Sequence, residues 1–294
     1  MDMTIDPQWL MTFALLAAVP VALLVVLTVS DKDRKNDLRR RLEGIRLNGQ
    51  IKQLLTNLQQ HRGMVNAILS GDHSFASKIS KKQEGIESDL RAIGSRLGDG
   101  LLTTTRWENI RENWQALHQQ ALQLAPEESF KRHSDLIREV LHCMGDVAER
   151  TQVGGVHPVD PALVDLLWSK LPAAAEGVGQ ARGMGASVAA RGHCSSVARI
   201  KLRFLEERIR ETMQRVSADL ARIDSSRAGS LAGDWQEANG AVIHFLDLLE
   251  SALLNVERPT LDAGHYFDTA TQALDAVFRV YDRACGAMES ALTN

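Results

Sequence analysis

Two arginines occupy positions where an amphipathic helix would carry a leucine. In each of two segments, apolar residues recur at intervals of four and three along one helix face, and an arginine falls on that face. Both guanidinium groups are therefore predicted to point into the interior of a helical bundle. The two faces are Ile51, Leu55, Leu58, Arg62, Val65 and Leu69, and Leu171, Ala175, Val178, Arg182, Gly185 and Ala189.

A buried guanidinium needs a partner, because removing it from water unpaired costs several kcal/mol. Neither face carries a carboxylate, so the partner must come from another helix, from water or from a bound anion. The fixed fork of N–H groups suits a carboxylate or a planar oxyanion such as nitrate. One interpretation is therefore an anion site between Arg62 and Arg182. The other is an ordinary buried ion pair, with the candidates Glu176, Glu206, Asp135 and Asp247.

The segment around Arg182 is an unusually weak helix. EGVGQARGMGASVAARG, residues 176–192, contains five glycines, and each costs about 1 kcal/mol against alanine in a helix interior. We expect its small residues to let a neighbouring backbone approach closely, so that Arg182 is held at the bundle centre opposite Arg62. These small residues are Gly179, Gly183, Ala186 and Ala190.

The elements that must position the arginines are helices. Prolines number only seven, and eight segments with helical spacing follow one another with short breaks. They run over 34–70, 74–97, 104–124, 127–151, 162–191, 195–225, 231–256 and 263–291. The break GGVHPVDP, 154–161, divides them into two sets of four.

The two sets resemble each other in sequence. HRGMVNAILSGDH, 61–73, aligns with ARGMGASVAARGH, 181–193, at an offset of 120. Further along, SFKRHSDLIREVLHCM, from Ser129, aligns with YFDTATQALDAVFRVY, from Tyr266. The sequence thus predicts an all-α, up-and-down body built from a four-helix unit used twice, over 30–153 and 162–292.

An apolar segment precedes this body. WLMTFALLAAVPVALLVVLTV, residues 9–29, carries no charge and has the length of about 20 residues that crosses a bilayer. Basic residues crowd 32–41, whereas residues 1–8 contain only acidic charges. By the positive-inside rule, we expect a single-pass helix in the inner membrane, with the tail 1–8 outside and the body in the cytoplasm.

Composition argues against several classes of function. The net charge of −3 gives no electrostatic argument for nucleic acid, and no catalytic, cofactor or phosphate-binding fingerprint is present. The cysteines, Cys143, Cys194 and Cys285, are far apart and are expected to be buried, inert thiols. The sequence therefore predicts a protein that is not an enzyme and that holds no metal or cofactor.

Several of these residues resemble the nitrate- and nitrite-sensing (NIT) domain family. Glu176-Gly-Val-Gly-Gln-Ala-Arg182, with Arg191-Gly192 at the helix end, is similar to the signature helix of that family. Gln60-His61-Arg62-Gly63 resembles its first motif, and the stretch from Tyr266 to Thr271 resembles its closing helix. The likeness extends over nearly all of 34–292.

The resemblance implies an eight-helix sensory module that binds nitrate or nitrite through arginines and passes a helix displacement to an output. Carried over by position, Arg62 and Arg182 would contact the ligand, with His61 beside them. Because His61 stands where a permanently charged residue is common, part of the positive charge would depend on pH. No output domain follows in the sequence, so we expect a separate signalling partner, and a homodimer is also compatible. The alternative is a non-catalytic helical scaffold with the same fold but no ligand.

Overall fold

The computed structural model describes residues 7–96, 104–153, 161–223 and 231–293, with side chains from residue 27 onward except those of Thr104 and Pro161. Every regular element among these residues is helical and none is a β-strand, which confirms the predicted all-α fold. A 3-10 turn, His73–Phe75, precedes α2, and π-helical turns, Leu166–Lys170 and Glu250–Leu254, follow α5 and α8. The α-helices are α1 (Pro7–Leu69), α2 (Ala76–Arg96), α3 (Thr104–Gln120), α4 (Pro126–Arg150), α5 (Pro161–Asp165), α6 (Leu171–Arg191), α7 (Ser196–Leu220), α8 (Leu231–Leu249) and α9 (Ala263–Thr293).

The chain separates into two units, residues 1–43 and residues 44–294. In the first unit, Asp37 forms ion pairs with Arg40 and Arg41 about one helical turn away. The second unit contains the large hydrophobic core and the remainder of α1. Residues 1–6 and 154–160, which include most of the predicted tail and most of the predicted boundary between repeats, lie outside the described residues.

The predicted membrane anchor requires a correction. Within the part of the chain that the structure describes, no helix is both long enough and apolar enough to cross a membrane. A span needs about 20 predominantly apolar residues, and helices such as α6 and α9 carry charged residues within any such length. Residues 9–29 form part of α1, although the side chains of 9–26 lie outside the described residues. The finding contradicts the predicted single-pass location in the inner membrane, and that prediction is withdrawn.

Residues 44–69 of α1 pack against both sets of helices that follow. Asn57 donates a 2.6 Å hydrogen bond to the Asp89 carboxylate on α2, and Asn48 donates to the Met144 carbonyl on α4 at 3.1 Å. On the other side, Asn66 donates to the carbonyl of Gly183 on α6 at 3.0 Å. This part of α1 thus joins the helices before and after residues 154–160.

Helices α6–α9 form a closely packed group. α6 packs along α9 and α7, and α8 packs along α9. The π-helical turn Leu166–Lys170 lies immediately before α6, whose second residue is Pro172. Proline has no N–H to donate to the preceding turn, and a π-turn is a common way to accommodate that loss without ending the helix. The predicted helix at 162–191 is therefore present but interrupted by this turn.

The glycines of α6 admit neighbouring side chains rather than a neighbouring backbone. A Cβ atom at Gly185 would lie 2.2 Å from the nearest atom of the opposing residue, and one at Gly183 would lie at 3.0 Å. The expectation of close backbone approach is therefore corrected to one of close side-chain insertion. The inserted side chains are Ile209 at Gly177, Arg62 at Gly179, Phe130 at Gly183 and Tyr266 at Gly185.

Candidate functional site

Arg62 forms a buried ion pair with Glu176 across the junction of α1 and α6. Its side chain is 1% exposed, and Nη1 donates to Glu176 Oε1 at 2.6 Å while Nη2 donates to Oε2 at 3.2 Å. Nη1 also donates to the Ser134 hydroxyl on α4 at 2.9 Å. The guanidinium carbon lies 4.9 Å from the centre of the Phe130 ring. One of the carboxylates considered from the sequence is therefore the partner of Arg62.

The Glu176 carboxylate is held by donors on both of its oxygens. Besides the two bonds from Arg62, Gln59 Nε2 donates to Oε2 at 2.9 Å and Gln180 Nε2 donates to Oε1 at 2.7 Å. Gly179 contributes space, since a Cβ atom there would lie 3.2 Å from Arg62 Nη2 and 3.6 Å from the Gln59 side chain. The four N–H donors fix this buried carboxylate in position.

Arg182 is buried, and among the described residues no carboxylate forms an ion pair with it. It is 3% exposed, and in the described part of the chain its hydrogen-bond partner is the Thr271 hydroxyl on α9, at 3.0 Å from Nη1. The Phe267 ring centre lies 4.7 Å from the guanidinium carbon, which adds a cation–π contact. Burial, and after it the Arg62 charge, lower the pKa of Arg182 to about 10, although Asp275 and Glu176 act in the opposite direction. Arg182 thus keeps its charge at neutral pH at an electrostatic cost.

The surroundings of the two arginines follow one pattern. Arg62 contacts Phe130 and, four residues later on α4, the hydroxyl of Ser134. Arg182 likewise contacts Phe267 and, four residues later on α9, a threonine hydroxyl. Each phenylalanine also lies near the glycine that follows the opposite arginine, because Phe130 approaches Gly183 and Phe267 approaches Gly63. The arrangement has the form expected for two copies of one unit, except for Glu176.

His61 lies among α2, α3 and α4 rather than between the arginines. Its Nδ1 is 2.8 Å from His133 Nε2, its Nε2 is 3.3 Å from Gln83 Nε2, and its ring packs edge-on against Trp114. His133 Nδ1 in turn lies 2.7 Å from the Ser129 carbonyl. Burial lowers the pKa of His61 well below its usual value, and it lowers the pKa of His133 to about 4. Both rings are therefore neutral at pH 7.

A cavity of about 570 Å³ lies next to the arginines, between the end of α1, α6 and the start of α9. It is bordered by Phe267, which covers Arg182, and by the two glycines of the Arg-Gly motifs. Two carboxylates, Asp72 and Asp268, also border it and are exposed. Its volume is ample for a small anion and the water that accompanies it. The remaining lining residues are mostly small: Asn66, Ala67, Ser70, Gly71, Phe75, Ala186, Ser187, Ala190, Ala263 and Gly264.

Reasoning from the sequence identified the two arginines but missed most of the residues that contact them. The alignment from Ser129 and Tyr266 already places Phe130 over Phe267, and it also places Ser134 over Thr271. Both aligned segments have a serine or threonine four residues after a phenylalanine, and this shared pattern could have revealed the neighbours of the arginines. No sequence pattern marked Gln59 as a partner of Glu176. The described residues include no cluster of side chains that could hold a metal ion.

The described residues thus form an all-helical body in which two buried arginines have matching surroundings. The chain belongs to the nitrate and nitrite sensing (NIT) family, whose model matches residues 53–289. This confirms the family resemblance inferred from the motifs around Arg62 and Arg182. No curated protein matches the chain.

A solved structure supports the fold. The structure of the NasR transcription antiterminator is similar to this chain with a TM-score of 0.61 and 18% sequence identity. The match covers 92% of this chain and 74% of that one. At this level of identity the likeness shows a common arrangement of helices.

Proposed function

We propose that the chain senses a small oxyanion, nitrate or nitrite, that binds between Arg62 and Arg182. The observation that carries the proposal is Arg182, a buried guanidinium whose partner among the described residues is a single neutral hydroxyl. Its other N–H groups are suited to a planar anion, which would relieve the cost of burying this charge. The family to which the chain belongs points to the same ligand class.

In this proposal the cavity provides the route to the site. It adjoins both Arg-Gly motifs and is bordered by Phe267, whose ring lies against the Arg182 guanidinium. Arg182 would be the principal contact, while Arg62 would add positive charge and the N–H groups that Glu176 and Ser134 do not use. His61 would act as support, because its neutral ring holds α1 against α4 through His133.

We further propose that ligand binding alters helix packing and so signals to a separate protein. The residues around the site come from α1, α4, α6 and α9, so an anion that draws Arg182 toward it would act on all four helices. A ligand shifts such an equilibrium only as far as it binds one packing better than the other. The output partner is an unidentified signalling protein, and a homodimer is one form in which the module could act.

Thermal unfolding of the purified full chain tests the ligand. At about 100 times its dissociation constant, nitrate should add roughly 2.7 kcal/mol to stability, or about 5–10 °C in melting temperature for a body of this size. Arg182→Met should abolish the nitrate-specific shift. Arg279→Met, which replaces an exposed arginine on α9, should leave it unchanged. Melting temperatures that rise no further in nitrate or nitrite than in chloride at equal ionic strength would refute the proposal.

The same experiment distinguishes a second candidate function, a helical interaction scaffold without a ligand. The observation that favours it is the Arg62–Glu176 pair, because one of the two arginines already has a protein carboxylate. A scaffold of this kind would melt at the same temperature in all three salts.

A further inference from the structure

One carboxylate stands beside the two arginines of the proposed site. The formal charges of Arg62, Arg182 and Glu176 sum to +1. Burial is the main cause of the lowered pKa of Arg182, but the Arg62 charge lowers it too, whereas Asp275 and Glu176 raise it, so these charges interact. The rings of His61 and His133 contact each other on the side of α2 and α3, in the first bundle (α1–α4), and both are neutral at pH 7. Asp275 and the cavity carboxylates are exposed, so solvent screens them. Among the residues that the structure describes, Glu176 is thus the buried negative charge beside the two arginines.

The position of Glu176 breaks the internal symmetry of the body. At the sequence offset of 120 that relates Arg182 to Arg62, the counterpart of Glu176 is Thr56 on α1. The Thr56 hydroxyl donates to the Lys52 carbonyl one turn earlier, so it supplies no charge to Arg182. One arginine therefore has a built-in anion and the other does not.

We propose that Glu176 is a built-in counter-anion that restricts the site to singly charged anions. This inference rests on the proposed function. A monovalent anion brings the buried charge of the site to zero, whereas a divalent anion leaves one uncompensated negative charge, which is costly away from water. With Glu176 neutralised, the same site would carry +2 and would favour a divalent tetrahedral or planar anion.

The most direct test of charge selectivity adds a positive charge beside Glu176 and keeps a hydrogen-bond donor to its carboxylate. Gln180 is half-buried, lies four residues after Glu176 and donates to its Oε1 at 2.7 Å. Gln180→Lys places an ammonium where the amide stood, in the favourable Glu-to-Lys orientation along a helix. With sodium nitrate and sodium sulfate as probes, the affinity for sulfate relative to nitrate should rise about tenfold, an order of magnitude set by one added charge nearby.

Two further variants keep the test decisive. Glu176→Gln removes the negative charge directly and should shift the sulfate-to-nitrate ratio in the same direction, but it leaves Arg62 without an ionised partner and could fail to fold. Gln119→Lys adds the same charge to an exposed position on α3 and should leave the ratio within twofold of the wild type. Titration of the full chain at constant ionic strength, with chloride as the reference salt, measures all three ratios.

The outcomes separate the two proposals. If the wild-type chain binds nitrate but Gln180→Lys and any folded Glu176→Gln protein keep the wild-type ratio, Glu176 does not set charge selectivity while the proposed function stands. If the wild-type chain shows no preference for nitrate over chloride, the proposed function itself fails. An equal rise in the ratio for Gln119→Lys would overturn the inference, because overall charge would then explain the effect.

Discussion

At the scale of single residues, the ion pair between Arg62 and Glu176 shows how a buried charge can be both costly and indispensable. Removing one member leaves the other buried and unpaired, whereas replacing both removes two desolvation penalties together. The pair is 1% and 9% exposed at its two side chains, so solvent cannot substitute for the missing partner. Its contribution is therefore best measured by comparing single and double replacements.

We predict that Arg62→Met costs about 3–5 kcal/mol of unfolding free energy, because it leaves the Glu176 carboxylate without its cation. The double variant, Arg62→Met with Glu176→Met, should recover most of that loss. Urea unfolding of the full chain in a chloride buffer measures both. A double variant no more stable than the single one would mean that packing of the guanidinium stem, rather than charge, is what the substitution removes.

At the scale of helices, α6 has a low intrinsic helix propensity but packs closely against its neighbours. Each glycine lowers intrinsic helix stability, yet all four glycines of α6 receive a side chain that a Cβ atom would displace or crowd. Tyr266 is fully buried, and its hydroxyl donates to the Ala181 carbonyl at 2.9 Å above Gly185. The low helix propensity of α6 is thus offset by side-chain packing against α1, α4 and α9.

Gly185→Ala is expected to lower stability by about 1–3 kcal/mol, or more, although alanine is the better helix former. The added methyl would lie 2.2 Å from the Tyr266 hydroxyl, so the ring must leave its place. The matched control is Gly145→Ala on α4, an exposed glycine with no atom near the added Cβ, which should gain about 0.5–1 kcal/mol. Equal stability changes for the two variants, measured by denaturant unfolding, would contradict this account.

The helices and the two arginines could be predicted from the sequence because they depend on local spacing. Helical periodicity gave eight segments in the right order, and a polar residue on an apolar face marked Arg62 and Arg182. The partner of each arginine depends on which helices meet in three dimensions, and spacing alone left Glu176 as one of four candidates. The π-turn before Pro172 and the inward position of His61 depend on packing for the same reason.

At the scale of the whole molecule, the first bundle contains a chain of neutral histidines whose direction is fixed. His133 Nδ1–H donates to the Ser129 carbonyl, so its Nε2 must accept from His61 Nδ1–H, and His61 Nε2 accepts from Gln83. Protonating either ring would place a charge in a buried site, and for His61 the neighbouring His133, His118 and Lys82 oppose it as well. The bundle is therefore built for the neutral form.

Stability should consequently fall as the pH drops below the usual histidine pKa. The folded pKa of His133 is about 4, against 6.5 for an unperturbed ring, so the unfolded state binds more protons between these values and is stabilised relative to the folded state. The contribution of His133, about 3 kcal/mol, is fully present above pH 7 and is lost progressively as the pH falls from about 6.5 to 4. His61, whose pKa burial also lowers, adds to the loss in the same direction.

His133→Gln isolates this effect from the titration of surface carboxylates. The variant should lose stability at pH 7, because the hydrogen bond to His61 is disturbed, but its stability should decline less steeply than that of the wild type between pH 6.5 and 4. His265→Gln, at an exposed position near the start of α9, should keep the wild-type slope. Unfolding free energies measured by urea titration at half-unit pH steps decide the matter: parallel curves for the wild type and His133→Gln would show that the buried histidines do not govern the acid sensitivity of the body.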